Sequence, residues 1–158
     1  MDKGLILGEE NLEIEILQLK AGGNSYGIDI NDIREILLYD QTPRKIPNSH
    51  PYIEGVVMPR DFLIPVINLA ASLNLYESEE AENEMLIVTN IKDMNIGFHV
   101  DEVRGIHKTT VANITEPGEY LSTSVREAIA GVLNIDGKTL EILDLRKIIS
   151  NVNPDIEL

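Results

Sequence analysis

The sequence predicts a mainly β protein with a few short helices, and three observations carry that expectation. Among its 158 residues are 22 Ile and 10 Val, about a fifth of the chain, and stiff β-branched side chains pack well on a pleated surface but fit a helix less well. Short segments alternate apolar and polar residues, the period of a half-buried strand. The second half of the chain also repeats the first.

Taken in order, Leu12-Glu13-Ile14-Glu15-Ile16-Leu17-Gln18-Leu19-Lys20 reads as a strand whose alternation slips at Ile16 and Leu17, where a bulge is expected. Tyr26-Gly27-Ile28-Asp29-Ile30 alternates cleanly. Asn31 is a capping residue ahead of Ile33, Ile36 and Leu37, a spacing that predicts a first short helix over 31–37. Ile64-Pro65-Val66-Ile67 and Leu86-Ile87-Val88 are continuous apolar runs, as in strands covered on both faces. Pro65 has no ladder donor, so its strand is expected at an edge or locally broken. Asn68 is placed to cap a helix over 69–75, and Asp144 one over 145–150 that Pro154 prevents from continuing. Phe98-His99-Val100-Asp101 alternates, and a turn or short helix is expected over 122–128.

The length suits one domain spanning 1–158. With 13 basic and 27 acidic side chains the net charge is −14, which argues against nucleic acid and anionic lipid as partners. A hydrophobic content of 43% is too high for a disordered solvating chain. The absence of Cys rules out a disulfide framework, a thiol nucleophile and thiolate metal sites, and suits a reducing compartment. No apolar run approaches the ~18 residues of a membrane span, and the opening MDKGLILGEENLE has neither a basic flank nor a cleavage site. A soluble cytoplasmic protein without membrane insertion is the expectation.

The repeat is the most informative feature. YGIDINDIREI (Tyr26 to Ile36) aligns with IGFHVDEVRGI (Ile96 to Ile106) at an offset of 70, Gly97 against Gly27. GVVMPRDFLIPVINL (Gly55 to Leu69) aligns with GVLNIDGKTLEILDL (Gly131 to Leu145) at 76, Gly131 against Gly55. Two matches in one order point to two like units, approximately 12–76 and 84–151. Each is a strand, a helix or turn, a hairpin and a short helix, too small to cover both faces of its own sheet. The acidic segment 77–84, with Glu77, Glu79, Glu80, Glu82 and Glu84, is read as a solvated loop without function.

No catalytic constellation is found. His99 and Asp101 share a strand face, the arrangement of a two-ligand metal corner or a His–Asp pair, but no third ligand has suitable spacing, so they are read as exposed polar strand residues. His50 lies in a turn-rich connector and is read as structural. The glycines form no phosphate-binding loop. No catalytic residue, metal or cofactor is assigned. A chain of this kind works by presenting surfaces, and a cleft left open between two like halves would receive a helix. Val57-Met58-Pro59-Arg60-Asp61-Phe62-Leu63 puts apolar residues at a hairpin tip, open to two readings: a partner site, or packing under a neighbouring loop.

In order along the chain stand Tyr26-Gly27-Ile28-Asp29-Ile30, Glu35-Ile36, Ile46-Pro47, Ile53-Glu54-Gly55, Pro65-Val66-Ile67-Asn68-Leu69, Val100-Asp101-Glu102-Val103, Gly131-Val132-Leu133 and Asp144-Leu145. This ordered set resembles the CheW-like chemotaxis coupling domain over residues 12–149. The lead-in Leu7-Gly8-Glu9-Glu10-Asn11-Leu12-Glu13-Ile14 resembles that of the subgroup fused to a phosphoreceiver, although no receiver follows in this sequence. The resemblance implies two intertwined SH3-like five-stranded barrels sharing a core. It also implies a scaffold, not an enzyme, that couples chemoreceptor signalling tips to the regulatory domain of the histidine kinase CheA, itself of related fold.

By position, the resemblance implies receptor-binding roles for Ile33, Glu35, Arg60, Met85, Ile96 and Val103, the last three along the groove between barrels. It implies kinase-binding roles for Gly55, Met58 and Phe62. A free monomer, recruited to receptor arrays at the inner face of the membrane, is expected. An adaptor of the same fold in another histidine-kinase pathway, such as motility or surface sensing, is the alternative; a small hydrolase or metal protein using His99 and Asp101 is a distant third. Where the family usually has N-L-R-G, this chain has Met58-Pro59-Arg60-Asp61, whereas the second copy keeps a D-G turn in Asn134-Ile135-Asp136-Gly137. With Asp61 in place of Gly, the first tip is expected to turn differently. Arg60 is expected to pair with Glu35, tying the hairpin to the first helix.

Overall fold

The computed structural model describes residues 12–75, 82–117 and 127–153. The strands are β1 (Glu13–Ala21), β2 (Asn24–Asp29), β3 (Ile33–Leu38), β4 (Ile53–Val57), β5 (Ile64–Asn68), β6 (Met85–Ile91), β7 (Met94–Val100), β8 (Glu102–Thr110), β9 (Ile114–Thr115), β10 (Ile129–Ile135) and β11 (Lys138–Leu143). Helix α1 (Leu69–Ser72) follows β5 and helix α2 (Leu145–Val152) follows β11. Most of the turn or helix expected over 122–128, and residues 77–81 of the acidic segment, lie outside the described residues.

Adjacent apolar residues in β1 have a simple cause. Ile14 and Ile16 enter one hydrophobic cluster, while Leu17, Leu19 and Ala21 enter another. The alternation never slips; the strand is covered on both faces. The bulge expected at Ile16 and Leu17 is not in this strand: opposite Gln18 and Leu19 it is β8 that carries the extra residue, Arg104. The same two-sided burial explains β5, where Ile64 and Val66 face one cluster and Ile67 another.

The sheets run β8-β1-β2-β11-β10-β9 and β3-β6-β7-β5-β4. Substituting each strand by its repeat counterpart (β1 for β6, β2 for β7, β8 for β3, β11 for β5, β10 for β4) turns the second order into the first, apart from the two-residue β9. Both sheets contain one parallel pair in equivalent register, Gly27 opposite Ile142 and Gly97 opposite Val66. The opening hairpins are exchanged: β1 and β2 sit with strands of the second half, and β6 and β7 with strands of the first. The division 12–76 and 84–151 thus follows the repeat, whereas each sheet draws strands from both halves. Gly27 and Gly97 mark equally tight approaches, since a Cβ would come within 2.5 Å of Ile16 Cγ2 and 2.8 Å of Leu86 Cδ1 respectively.

Two local expectations are corrected. Residues 31–37 form no helix: a single 3-10 turn, Ile30–Asp32, capped by the Asp29 carboxylate, leads directly into β3. Inward Ile33, Glu35 and Leu37 then alternate with outward Arg34, Ile36 and Leu38, and the sheet partner β6 decides the conformation where helical spacing alone does not. Pro65 lies in an interior strand. Its neighbour across β4, Val56, gives its own N–H and C=O to Arg44, and the ladder to β7 begins only at Val66, so no donor is missed. The two helix caps are as expected, with Asn68 Oδ1 accepting from Ala71 N at 3.1 Å and Asp144 Oδ1 from Lys147 N at 3.2 Å.

The expected open cleft between halves is also corrected. Leu19 and Ile28 from one sheet, Ile87 and Phe98 from the other, and Leu145 and Ile148 of α2 form one continuous buried cluster across the seam. A chain rich in aliphatic residues removes most apolar area from water by closing that seam.

Candidate interaction surface

Sheet curvature brings β3 and the β4–β5 hairpin, at opposite edges of one sheet, into side-chain contact. Arg60 Nη2 lies 3.0 Å from Glu35 Oε2, the pair expected from sequence, although Glu35 is on a strand. Arg34, the extra residue at a bulge in β3, places its guanidinium over the Phe62 ring, 5.7 Å from the centroid, and donates to Asn95 Oδ1. Beside these contacts lies a hollow of about 420 Å³ lined chiefly by Ile36, Leu38, Tyr39, Val57, Pro59 and Leu86.

At the hairpin tip, packing under a neighbouring loop is not what is found. Met58 and Phe62 are each 54% exposed, and Leu63 and Leu38 are each 66% exposed, so the apolar side chains are not packed under a loop. The turn differs from its repeat counterpart, as expected. In the second copy pairing continues to Ile135 opposite Lys138, whereas in the first it stops at Val57 opposite Ile64. Pro59 occupies the position of Ile135 and has no N–H for that last rung. Asp61 nevertheless takes φ +65°, as Gly137 takes +80°, because Asp tolerates the left-handed region better than most residues.

The other expected site residues fall into two groups. Ile96 is buried in the central core, and Ile33, Met85 and Val103 are half-buried against it, so they mark its margin and not an open groove. Gly55 is buried at a bulge, with φ +145° and the Arg44 carbonyl where a Cβ would stand, which makes its position structural. The exposed edge-strand residues Ile36, Leu38 and Ile106 carry no local sequence signal that singles them out.

His99 also departs from expectation. It does not meet Asp101, whose carboxylate accepts from Gly23 N at 3.0 Å. Its Nδ1 is 2.6 Å from Glu54 Oε2 and its Nε2 is 3.0 Å from Glu84 Oε1. Its ring stacks on Tyr39 with centroids 3.6 Å apart, and the Tyr39 hydroxyl donates to Glu54. Burial pushes the imidazole pKa down, but the hydrogen bond and charge of Glu54, together with Glu84, outweigh it and leave the net value raised. Glu84 is therefore a structural member of this cluster, not part of a purely solvated run. His50, as expected, is structural: its Nδ1 accepts from Tyr52 N at 3.1 Å.

A family model described as the CheW-like domain matches residues 15–153. The chain belongs to the CheW-like domain family. It is 30% identical over 145 residues to the chemotaxis protein CheW of Klebsiella aerogenes, covering 92% of this chain and 87% of that one. It is 32% identical over 151 residues to the chemotaxis protein CheV3 of Helicobacter pylori, covering 89% of this chain and 48% of that one. The crystal structure of the scaffolding protein TtCheW from Thermoanaerobacter tengcongensis superposes with a TM-score of 0.76 at 25% identity, covering 85% and 86% of the two chains. The mainly β, two-sheet architecture is thus that of a CheW-like domain.

Within this CheW-like domain the repeat isolates what the fold does not require. At positions equivalent to Leu38, Met58, Phe62 and Leu63 the second copy carries Lys108, Asn134, Lys138 and Thr139. An equivalent strand and hairpin, with a longer ladder and a tighter turn, therefore form with polar residues there, and the apolar set needs another explanation. The Arg60–Glu35 pair sits at its rim with Arg60 mostly exposed, so it contributes only ~0–1 kcal/mol to stability and serves orientation. Arg60→Glu is expected to leave the unfolding midpoint nearly unchanged while weakening capture of the hairpin's partner. Equal loss of both, measured by calorimetry and binding, would mark the pair as structural.

Proposed function

We propose that this chain is a chemotaxis scaffold that couples chemoreceptor signalling tips to the regulatory domain of a CheA-type histidine kinase. The observation that carries the kinase contact is the exposed apolar set Leu38, Met58, Phe62 and Leu63 beside a 420 Å³ hollow, polar in the second copy of the same fold. Such a surface suits an apolar partner, with anchoring side chains from that partner filling the hollow. Arg34 adds positive charge at its rim, where Arg60 is already paired with Glu35, on a chain of net charge −14, which gives an acidic group on the partner a place to dock.

The receptor tip is assigned to the margin where Ile33, Met85 and Val103 are half-buried, with Ile96 supporting it from beneath and Glu35 and Arg60 setting the hairpin beside it. This reading places the protein in the cytoplasm, at receptor arrays, acting by binding and not by catalysis. Titration of a purified CheA-type regulatory domain into the protein tests it, with an expected Kd in the micromolar range or tighter, of the order for a standard-sized interface. No heat and no shift of hairpin resonances at high micromolar concentrations of both would overturn the kinase assignment.

A further inference from the structure

The His99 cluster fastens together four chain segments of one sheet: Tyr39 just after β3, Glu54 at the β4 bulge, Glu84 before β6, and His99 on β7. Its chemistry follows from donors and acceptors. Both ring nitrogens face carboxylate oxygens, and an ionised carboxylate only accepts. A neutral imidazole has one N–H, so it satisfies one of the two contacts and sets a nitrogen lone pair against the other. The bridge as built requires the imidazolium. Among the described residues, the ionisable groups facing the ring are the Tyr39 hydroxyl from the β3 side, Glu54 from β4 and Glu84 just before β6. From β5, Asn68 pairs with His99 in register, but its side chain caps α1. On β7 itself, Asp101 is engaged with Gly23.

We propose that His99 is a positioning residue: as an imidazolium bridging Glu54 and Glu84 it holds Tyr39 as a wall of the hollow, and loosens that wall when it gives up its proton. The docking consequence rests on the kinase-binding reading above, since Tyr39 lines the hollow assigned to the partner. On deprotonation the contact that breaks is the one to Glu84. Its side chain is 40% exposed and returns readily to water, whereas Glu54 is 18% exposed and also holds the Tyr39 hydroxyl; because the Glu84 carbonyl accepts from Tyr39 N at 3.1 Å, release of the Glu84 segment loosens Tyr39 from its backbone side. The sign is that of a group whose folded pKa is raised. The bridge's stabilisation is complete below the ordinary histidine value of about 6.5 and is lost as pH rises through the raised value.

The test uses the full chain. Side-chain nitrogen spectra of His99 and ring resonances of Tyr39 are followed from pH 6 to 9 in the wild type and in Glu84→Gln. Expected are two protonated ring nitrogens at pH 6.5, a Tyr39 transition sharing the His99 midpoint, and a midpoint lower by about half a unit or more in Glu84→Gln. Affinity for the kinase regulatory domain is then expected to fall about threefold or more across the wild-type midpoint, and the fall to move with the midpoint in the variant. A neutral His99 at pH 6.5, or Tyr39 resonances that ignore its titration, overturns the proposal. If the domain fails to bind at any pH, the docking reading fails, while the nitrogen and Tyr39 spectra still decide the clasp.

Discussion

Phe62→Ala is expected to weaken binding of the kinase regulatory domain about thirtyfold, the ~2 kcal/mol of an aromatic anchor at the centre of an interface. Thermal unfolding should barely move, because the ring is 54% exposed and exposed positions usually tolerate change within about 0.5 kcal/mol. The repeat supplies a stronger form of the experiment. Leu38→Lys, Met58→Asn, Phe62→Lys and Leu63→Thr together write the second copy's residues onto the first. The fold already carries those residues on an equivalent edge and hairpin, so the variant is expected to fold and to lose detectable binding at micromolar concentration. Titration calorimetry alongside a melting curve checks both halves of the expectation. A quadruple variant that melts normally and binds as wild type would remove this face from the interface and leave its apolar character unexplained.

The sequence and the folded chain agree wherever a signal is local or is written twice. Alternation along β1 and β2, the caps at Asn68 and Asp144, and the repeat itself are legible because each depends on neighbours in the chain. Residues 31–37 mislead because Ile33, Ile36 and Leu37 fit a helical stripe as well as a bulged strand, and only pairing with β6 separates them. A signal is nonetheless present. The second copy puts Gly105 where the first has Glu35, and a glycine in mid-helix is unfavourable while a glycine at φ +138° beside a bulge is at ease.

Of the site, the Glu35–Arg60 pair and the apolar tip are visible in the residues, whereas Leu38 is not, because exposure on an edge strand depends on which neighbour is missing. The His99 cluster is invisible for a different reason. Its partners stand 45 and 15 residues away and meet only when β4 and the lead into β6 converge on β7. Likewise the sealed seam follows from exchanged hairpins, which a linear repeat does not reveal.

That exchange makes Phe98→Ala the most destabilising single change expected, at about 3–5 kcal/mol. Phe98 is fully buried on β7, in the cluster that both sheets share, so the void left by its ring would open at the centre of the molecule. Against a typical domain stability of about 5–15 kcal/mol such a loss is a large fraction of the whole. Its distribution is the informative part. Because β6 and β7 belong to the second half of the chain but pair with β3 and β5 of the first, each sheet is held together by strands from both halves. The central cluster also holds Leu19 and Ile28 of the opposite sheet against Phe98 and Ile87. Amide exchange should therefore accelerate equally in β1 and β2 and in β6 and β7, as expected for one cooperative unit. If β1 and β2 kept wild-type protection while β6 and β7 lost theirs, the shared cluster would not be what joins the sheets, and the stability of each would have to come from its own smaller core, Ile16 and Leu140 in one and Val66 and Val88 in the other.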